Sequence, residues 1–276
     1  MTNQPIVEFS DGNHIPQLGL GVWQTANDTA GEVVRKALES GYRHIDTAAI
    51  YENEEGVGDG IRMSGVDRKD IFVTTKLWND RQGRDNTLRA FDASLKRLGL
   101  EYVDLYLIHW PAPRKGLFVE TWKTFIELKE QGRVRSIGVS NFYPEHLEKI
   151  IAETGVTPVL NQVELHPAFQ QSELRKVHKR LGIATECWSP LGQGTLLKNP
   201  AIEGIARKHG RSPAQIIIRW HLENGFIVIP KSSNPVRIDE NFNVFDFSLD
   251  ESDMRAIGGL DGALGRVGPD PTTAAF

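Results

Sequence analysis

The sequence predicts an α/β protein, a (β/α)₈ TIM barrel with an N-terminal β-hairpin, formed as a single domain over residues 1–276. Short runs of apolar or β-branched residues recur along the chain, and segments with helical periodicity separate them. No low-complexity stretch and no Pro/Gly/Ser-rich linker divides the sequence. Eight strands that alternate with helices without a break favour a closed barrel, and an open doubly wound sheet is the alternative.

The first predicted element is the hairpin. Residues 6–9 and 14–16 are short segments that can pair as strands. Between them, Asp11 and Gly12 tolerate the positive φ angles of a tight turn.

The barrel strands are predicted from the apolar runs that follow. They begin near residues 18, 43, 71, 103, 134, 159, 183 and 226. Most of these starts lie about 24 to 32 residues apart, which is the length that a strand, a helix and two loops require. The runs at 71–73 and 226–229 are apolar on successive residues, as expected for strands that are covered on both faces.

The segments between the strands carry the periodicity of amphipathic helices. Over 84–98 and 117–131, apolar side chains recur at a spacing close to that of a helix. The last gap between strands is the longest, and Ser212 within it is a good N-cap followed by proline. We therefore expect two helices there, at 199–209 and 213–223.

Composition and charge exclude several classes of protein. The 32 basic and 36 acidic residues give a net charge of −4, which favours neither nucleic acid nor a membrane surface as a partner. No apolar run is long enough to cross a bilayer, and the N-terminus lacks the pattern of a secretory signal. Cys187 is the only cysteine, so an internal disulfide is impossible. A cytoplasmic protein is expected.

Four polar side chains stand at or just after the predicted carboxyl ends of strands, where a barrel places its active site. Asp46 ends the second strand, Tyr51 follows in the next loop, Lys76 ends the third strand and His109 the fourth. An ammonium beside a phenol favours phenolate, so Lys76 would prepare Tyr51 to act as a proton donor. Asp46 would hold Lys76, and His109 would bind the substrate oxygen. Taken singly, each residue could instead cap a helix, form a rim ion pair or pack in the core.

The glycine pairs do not form a Rossmann fingerprint. Gly19 and Gly21 are followed by Gln24 where the third glycine should stand, and Gly56 and Gly58 are followed by isoleucine. We interpret both pairs as turn or close-packing glycines.

Six motifs occur in order along the chain: GYRHIDTA at 41–48, TKLW at 75–78, LYLIHW at 105–110, IGVSNF at 137–142, NQVELHP at 161–167 and PKS at 230–232. Their order and spacing resemble the aldo-keto reductase superfamily over essentially the whole chain, and its compact bacterial 2,5-diketo-D-gluconate reductases in particular. The resemblance implies NADPH-dependent reduction of aldehydes or ketones to alcohols, without a metal. It also implies a catalytic tetrad of Asp46, Tyr51, Lys76 and His109, with Tyr51 as general acid.

The resemblance further implies a site for NADPH/NADP⁺. Ser140, Asn141 and Gln162 match residues that hold the nicotinamide carboxamide, and Trp188 matches the aromatic residue that stacks on the ring. The pyrophosphate and adenosine positions correspond to Ser189, Leu191, Gly192, Gln193, Lys231, Ser232, Ser233, Arg237, Glu240 and Asn241.

Some cofactor residues are informative without the resemblance. Two cations near a helix start, Lys231 and Arg237, suit a 2′-phosphate and favour NADPH over NADH. The alternative is a solvated basic pair, and the alternative for Trp188 is core packing at a strand end.

The resemblance also implies a substrate pocket that combines His109 with four apolar side chains at or beside strand ends, namely Trp23, Ile50, Trp78 and Trp110. Some of these tryptophans could instead belong to the core. The short segment 111–116 and the short tail after Leu249 predict an open pocket for small or polar carbonyls. Candidates are a keto-sugar acid such as 2,5-diketo-D-gluconate, a dicarbonyl such as methylglyoxal, or a broad range of aldehydes.

Two other functions compete with the reductase. A non-catalytic NADPH-binding relative would have no need for an intact tetrad. A barrel hydrolase or isomerase would require paired carboxylates or a metal cluster, and the nearest carboxylates, Glu52, Glu54 and Glu55, fit the dipole at a helix start better. A small-molecule carbonyl is the expected partner, and a monomer is the expected state.

Overall fold

The computed structural model describes residues 4–262 and 264–274. Its strands are β1 Ile6–Glu8, β2 His14–Pro16, β3 Leu20–Gly21, β4 His44–Asp46, β5 Phe72–Leu77, β6 Val103–Ile108, β7 Val134–Ser140, β8 Leu160–Glu164, β9 Ala184–Trp188 and β10 Ile227–Val228. Its helices are α1 Asn27–Ser40, α2 Glu54–Met63, α3 Arg84–Leu98, α4 Phe118–Glu130, α5 Pro144–Thr154, α6 Ser172–Leu181, α7 Pro200–His209, α8 Pro213–Glu223, α9 Pro235–Phe242 and α10 Glu251–Gly258.

The eight strands β3 to β10 form one parallel sheet in which each strand pairs with the next along the chain. The first and last strands also meet. The amide of Gly19 donates to the carbonyl of Val228 at 2.9 Å, and the amide of Gly21 donates to the carbonyl of Pro230 at 3.2 Å. The sheet therefore closes into the predicted (β/α)₈ barrel.

The helices follow the predicted periodicity closely. The helix α3 has the predicted bounds, and α7 and α8 occupy the long last gap. The cap at Ser212 is a capping box: its hydroxyl accepts from the amide of Gln215 at 3.3 Å, while the Gln215 side chain accepts from the amide of Ser212 at 3.0 Å.

The predicted hairpin forms and closes the amino-terminal end of the barrel. Its strands pair antiparallel with Val7 opposite Ile15, and Gly12 takes the positive φ of the turn. Phe9 and Ile15 are buried in an apolar cluster with barrel residues that include Leu105 and Ile227.

The two glycine pairs serve close packing, as interpreted from the sequence. A Cβ atom on Gly19 would lie 2.4 Å from Nδ1 of His44. On Gly56 it would lie 2.2 Å from the carbonyl oxygen of Asn27, and on Gly58 it would lie 2.1 Å from that of Leu98. Neither pair leaves space for a side chain.

Glu54 was expected to complement the dipole at the start of a helix, and the structure shows a further role for it. This residue does lie in the first turn of α2, but it is fully buried rather than solvated. Its carboxylate accepts from the hydroxyl of Thr75 at 2.6 Å and pairs with Arg97 at 2.6 Å. It therefore ties α2 to β5 and α3, a role that a helix-dipole interpretation does not include.

Across residues 4–262 and 264–274, no helix combines the length and apolar character needed to span a membrane.

Candidate active site

Four of the predicted site residues meet at the carboxyl ends of neighbouring strands. Asp46 is the last residue of β4, Lys76 lies near the end of β5, and His109 directly follows β6. Tyr51 lies in a short 3₁₀ turn after β4. Its ring centroid is 5.7 Å from that of His109 and 5.1 Å from the ammonium of Lys76.

Lys76 and Asp46 form a buried ion pair. The Lys76 ammonium donates to Oδ1 of Asp46 at 2.6 Å and to the main-chain carbonyl of Thr47 at 2.9 Å. Burial works against the charged form, but the surrounding groups, led by the negative charge of Asp46, more than offset it and raise the pKa of Lys76 above its usual value. Lys76 is therefore a permanent cation directed toward the phenol.

The pKa of Tyr51 is raised, whereas the ammonium of Lys76 was expected from the sequence to favour phenolate. Burial, the largest effect, raises its pKa, and the charge and hydrogen bonding of Lys76 lower it only in part. The net pKa lies above the ordinary value of 10, so the phenol is protonated at neutral pH. Lys76 limits the cost of forming the phenolate but does not create one in the resting protein.

His109 is a neutral imidazole in this arrangement. Burial lowers its pKa well below 6.5, and the nearby charge of Lys76 lowers it further. Its Nδ1 atom has no hydrogen-bond partner within the described parts of the chain. The edge of its ring also meets Trp78, with ring centroids 5.2 Å apart.

The residues predicted to hold a nicotinamide lie beside this group. Ser140 Oγ donates to the main-chain carbonyl of Gln162 at 2.8 Å, and the side-chain amide of Asn141 donates to the carbonyl of His109 at 3.0 Å. Trp188 Nε1 donates to Oδ1 of Asn141 at 2.9 Å, which fixes the indole ring. Asn141 has a φ of 61° and Ser189 a φ of 47°, which are costly conformations for residues other than glycine. Such strain is typical of residues positioned for a ligand.

Most of the residues predicted to bind the adenosine end line a cleft of about 770 Å³ beside α9. Its predicted members are Leu191, Lys231, Ser232, Ser233, Arg237, Glu240 and Asn241, and it also includes Leu197, Ser212, Pro213, Ala214, Asn234 and Pro235. Ser189, Gly192 and Gln193 follow β9 but do not line this cleft.

The cations that line this cleft are Lys231 and Arg237. Both are exposed, and neither forms an ion pair with any residue that the structure describes. Among the described residues, the ammonium of Lys231 hydrogen-bonds only to the hydroxyl of Ser233, at 3.0 Å. The cleft therefore presents positive charge that an anion can use.

The predicted substrate residues differ in exposure. Trp23 and Ile50 expose 44% and 41% of their surface, which is unusual for such large apolar residues. Trp78 is partly buried, whereas Trp110 is buried, with 7% of its surface exposed. An apolar surface for a ligand is thus offered chiefly by Trp23, Ile50 and Trp78.

The C-terminal segment, residues 264–274, is a feature that the sequence did not reveal. The amides of Val267 and Gly268 donate to the buried carboxylate of Glu164 at 2.6 and 2.9 Å. A Cβ on Gly268 would lie 2.3 Å from the Trp188 ring, so the backbone runs directly against that indole. The tail is short, as expected, and it reaches the rim of the barrel at Glu164 and Trp188.

Comparisons with known proteins show which proteins the chain is similar to. The Aldo/keto reductase family profile matches residues 17–261. A protein named aldo-keto reductase from Mycolicibacterium smegmatis is 59% identical over 99% of this chain and 98% of its own length. The methylglyoxal reductase DkgA of Escherichia coli is 51% identical over 98% of each chain. The fold is also similar to the crystal structure of a Gox0644 mutant in complex with NADPH. The match covers 99% of each chain, with 56% identity and a TM-score of 0.96.

Proposed function

The chain belongs to the aldo/keto reductase family of NADP(H)-dependent oxidoreductases, and we propose that it reduces small aldehydes and ketones with Tyr51 as proton donor. The observation that carries this proposal is the buried ion pair of Lys76 and Asp46 set against the Tyr51 phenol, with neutral His109 beside it. A proton donor, a cation to stabilise its conjugate base and a hydrogen-bonding imidazole meet at one point.

Each of these side chains has a separate task in the proposed reaction. When bound, the dinucleotide supplies a hydride to the carbonyl carbon. Tyr51 gives its hydroxyl proton to the carbonyl oxygen, and the ammonium of Lys76 stabilises the phenolate that remains. Asp46 keeps Lys76 charged and in place. His109, being neutral, directs a hydrogen bond to the same oxygen and orients the carbonyl for transfer.

The residues present fit the dinucleotide. The strained loops at Asn141 and Ser189 and the fixed, partly exposed indole of Trp188 fit a nicotinamide ring held beside Tyr51. The unpaired charges of Lys231 and Arg237 fit the 2′-phosphate that distinguishes NADPH from NADH.

The substrate class we propose is small or polar carbonyls, including dicarbonyls such as methylglyoxal and keto-sugar acids such as 2,5-diketo-D-gluconate. Two observations support a small substrate. The exposed apolar surface at the rim is limited to a few side chains, and the segment 111–116 adds no long loop that could hold a larger molecule. The E. coli relative is named a methylglyoxal reductase, which supports the first of these classes.

The test is NADPH oxidation by the purified protein against methylglyoxal, 2,5-diketo-D-gluconate, an aromatic aldehyde and a simple ketone. Tyr51→Phe is expected to lower turnover by about 10² to 10⁴-fold while NADPH affinity stays close to that of the wild type. Tyr106→Phe is the matched control, because its buried hydroxyl has no hydrogen-bond partner in the described structure. Full turnover by Tyr51→Phe would refute the proton-donor assignment, and tight NADPH binding without reduction of any carbonyl would refute the substrate class.

A further inference from the structure

One buried carboxyl group has no part in the reaction proposed above. Glu186 lies within β9 and is completely buried inside the barrel. Its Oε2 atom accepts a hydrogen bond from Nε2 of Gln162 at 2.7 Å. Its Oε1 atom faces Nε2 of His44 at 3.5 Å, without a hydrogen bond among the residues described. Burial of a carboxyl group costs free energy that hydrogen bonds must offset, so the hydrogen bond from Gln162 is important for Glu186.

That contact places Gln162 between two acidic side chains. The same Nε2 atom donates its other hydrogen to Oδ2 of Asp46 at 2.8 Å. A primary amide has two N–H donors, so Gln162 uses both of them on carboxyl oxygens. Among the described residues, no hydrogen bond ends on its side-chain oxygen Oε1, which is therefore an acceptor available to a ligand.

The two hydrogen bonds together fix the orientation of the Gln162 amide, which one hydrogen bond alone would not do. The last side-chain torsion of glutamine is soft, and an amide held only by Asp46 could swing about that single N–H bond. A second acceptor in a different direction fixes the amide plane and, with it, the direction of Oε1. The neighbouring amide of Asn141 is held in the same manner: its Nδ2 donates to the carbonyl of His109 and to Oγ of Ser140, and its Oδ1 accepts from Trp188.

We propose that Glu186 is a positioning residue: by accepting the second N–H of Gln162, it fixes the amide so that Oε1 receives the N–H₂ group of the nicotinamide carboxamide. This inference rests on the proposed function, since it assigns Gln162 to the cofactor of that reaction. Glu186 itself touches neither cofactor nor substrate. Its effect on carboxamide binding is exerted through Gln162.

The charges around Glu186 are compatible with this role. Lys76 and Asp46 already neutralise each other, and a further buried anion would be unpaired. Burial and the negative charge of Asp46 raise the pKa of Glu186 to about 8, so the group is mostly protonated at neutral pH. Burial and Lys76 keep His44 neutral by lowering its pKa to about 3. A neutral carboxyl group still accepts the hydrogen bond through its carbonyl oxygen.

The experiment compares the binding of NADP⁺ with that of its 3-acetylpyridine analogue, whose methyl ketone has no N–H to donate. The wild type is expected to prefer NADP⁺ by about fivefold or more, the worth of one net hydrogen bond. Glu186→Met removes the acceptor at similar length and is expected to abolish this preference. Glu186→Gln, the matched control, mimics the neutral acid and is expected to retain it.

The ratio of the two affinities separates positioning from a general structural effect, because a loosened fold weakens both ligands equally. An unchanged preference in Glu186→Met, or no preference in the wild type, would overturn the inference. If the methionine variant does not fold, Glu186→Asp withdraws the acceptor by one methylene, and a wild-type preference there would overturn the inference as well. Binding is measured without turnover, so failure of the proposed carbonyl reduction would be seen separately.

Discussion

Replacement of Gly268 by alanine is expected to release the C-terminal segment, residues 264–274, from the rim of the barrel. The added Cβ would lie 2.3 Å from the Trp188 ring and 2.9 Å from Oε2 of Glu164. Non-bonded carbon atoms prefer about 3.5 to 4.0 Å, so the backbone must retreat by more than about 1 Å. The backbone φ of Gly268 is not in the left-handed region, so the effect is one of space alone.

The free-energy cost of Gly268→Ala follows from the contacts that are lost when the backbone moves away from Trp188. The amides of Val267 and Gly268 lie 2.6 and 2.9 Å from the carboxylate of Glu164, and a shift of that size lengthens both bonds beyond useful range. A hydrogen bond to a charged group contributes about 1.5 to 3 kcal/mol. Loss of even one of the two bonds, at about 2 kcal/mol, would raise the undocked population of the segment about 30-fold.

Limited trypsin digestion measures that population. The peptide bond after Arg266 lies within the segment, and the Arg266 side chain is held by the hydroxyl of Tyr143 at 2.9 Å while the segment is docked. Release of the peptide 267–276, followed by mass spectrometry, tracks the open fraction when opening is fast relative to cleavage. The expected result is cleavage about 30-fold faster in Gly268→Ala than in the wild type.

Gly262→Ala provides the matched control, because a Cβ at Gly262 meets nothing within 4 Å and its φ is also not left-handed. Its cleavage rate should equal that of the wild type. Equal rates in Gly268→Ala and Gly262→Ala would refute the argument that contact with Trp188 and Glu164 holds the segment in place.

Three further predictions concern charge, pH and packing. Lys231→Gly combined with Arg237→His should weaken NADPH binding about 10 to 100-fold and NADH binding little, measured by calorimetry at low salt; equal weakening would contradict the 2′-phosphate assignment. Ionisation of Glu186, with a pKa of about 8, adds negative charge that raises the pKa of Tyr51, so kcat for reduction should fall as the pH rises through 8. That fall should be absent from the pH profile of Glu186→Gln. Gly19→Ala should lower the free energy of unfolding by about 1 to 3 kcal/mol in urea titrations, since its Cβ would lie 2.4 Å from a buried imidazole nitrogen.

The fold was predictable because hydrophobic periodicity is local. The helix α3 and the starts of β6 and β7 agree with their predicted positions, since each is marked by its own run of apolar residues. The tetrad followed from the same logic, because Asp46, Lys76 and His109 come where strands end and a barrel gathers those ends on one rim.

The remaining features depend on relations that no local pattern contains. A glutamate within a strand looks the same whether it faces solvent or the barrel interior, so Glu186 carried no signal. The contact of Val267 with Glu164 joins residues 103 positions apart, and neither has a distinctive neighbourhood. The pKa of Tyr51 had the opposite direction from that expected, because the effect of burial is set by the packed structure and not by the identity of its neighbours.

The seam at which the barrel closes has a consequence for how the protein is made. Parallel β-bridges pair Leu18 with Val228 and Gly21 with Lys231. The first strand of the barrel, β3, therefore has no partner on that side until more than three quarters of the chain has been synthesised. Until then the sheet has two open edges, which are sites for aggregation. Because Lys231 is both a seam residue and a proposed cofactor contact, dinucleotide binding would stabilise the last-formed joint of the newly synthesised protein.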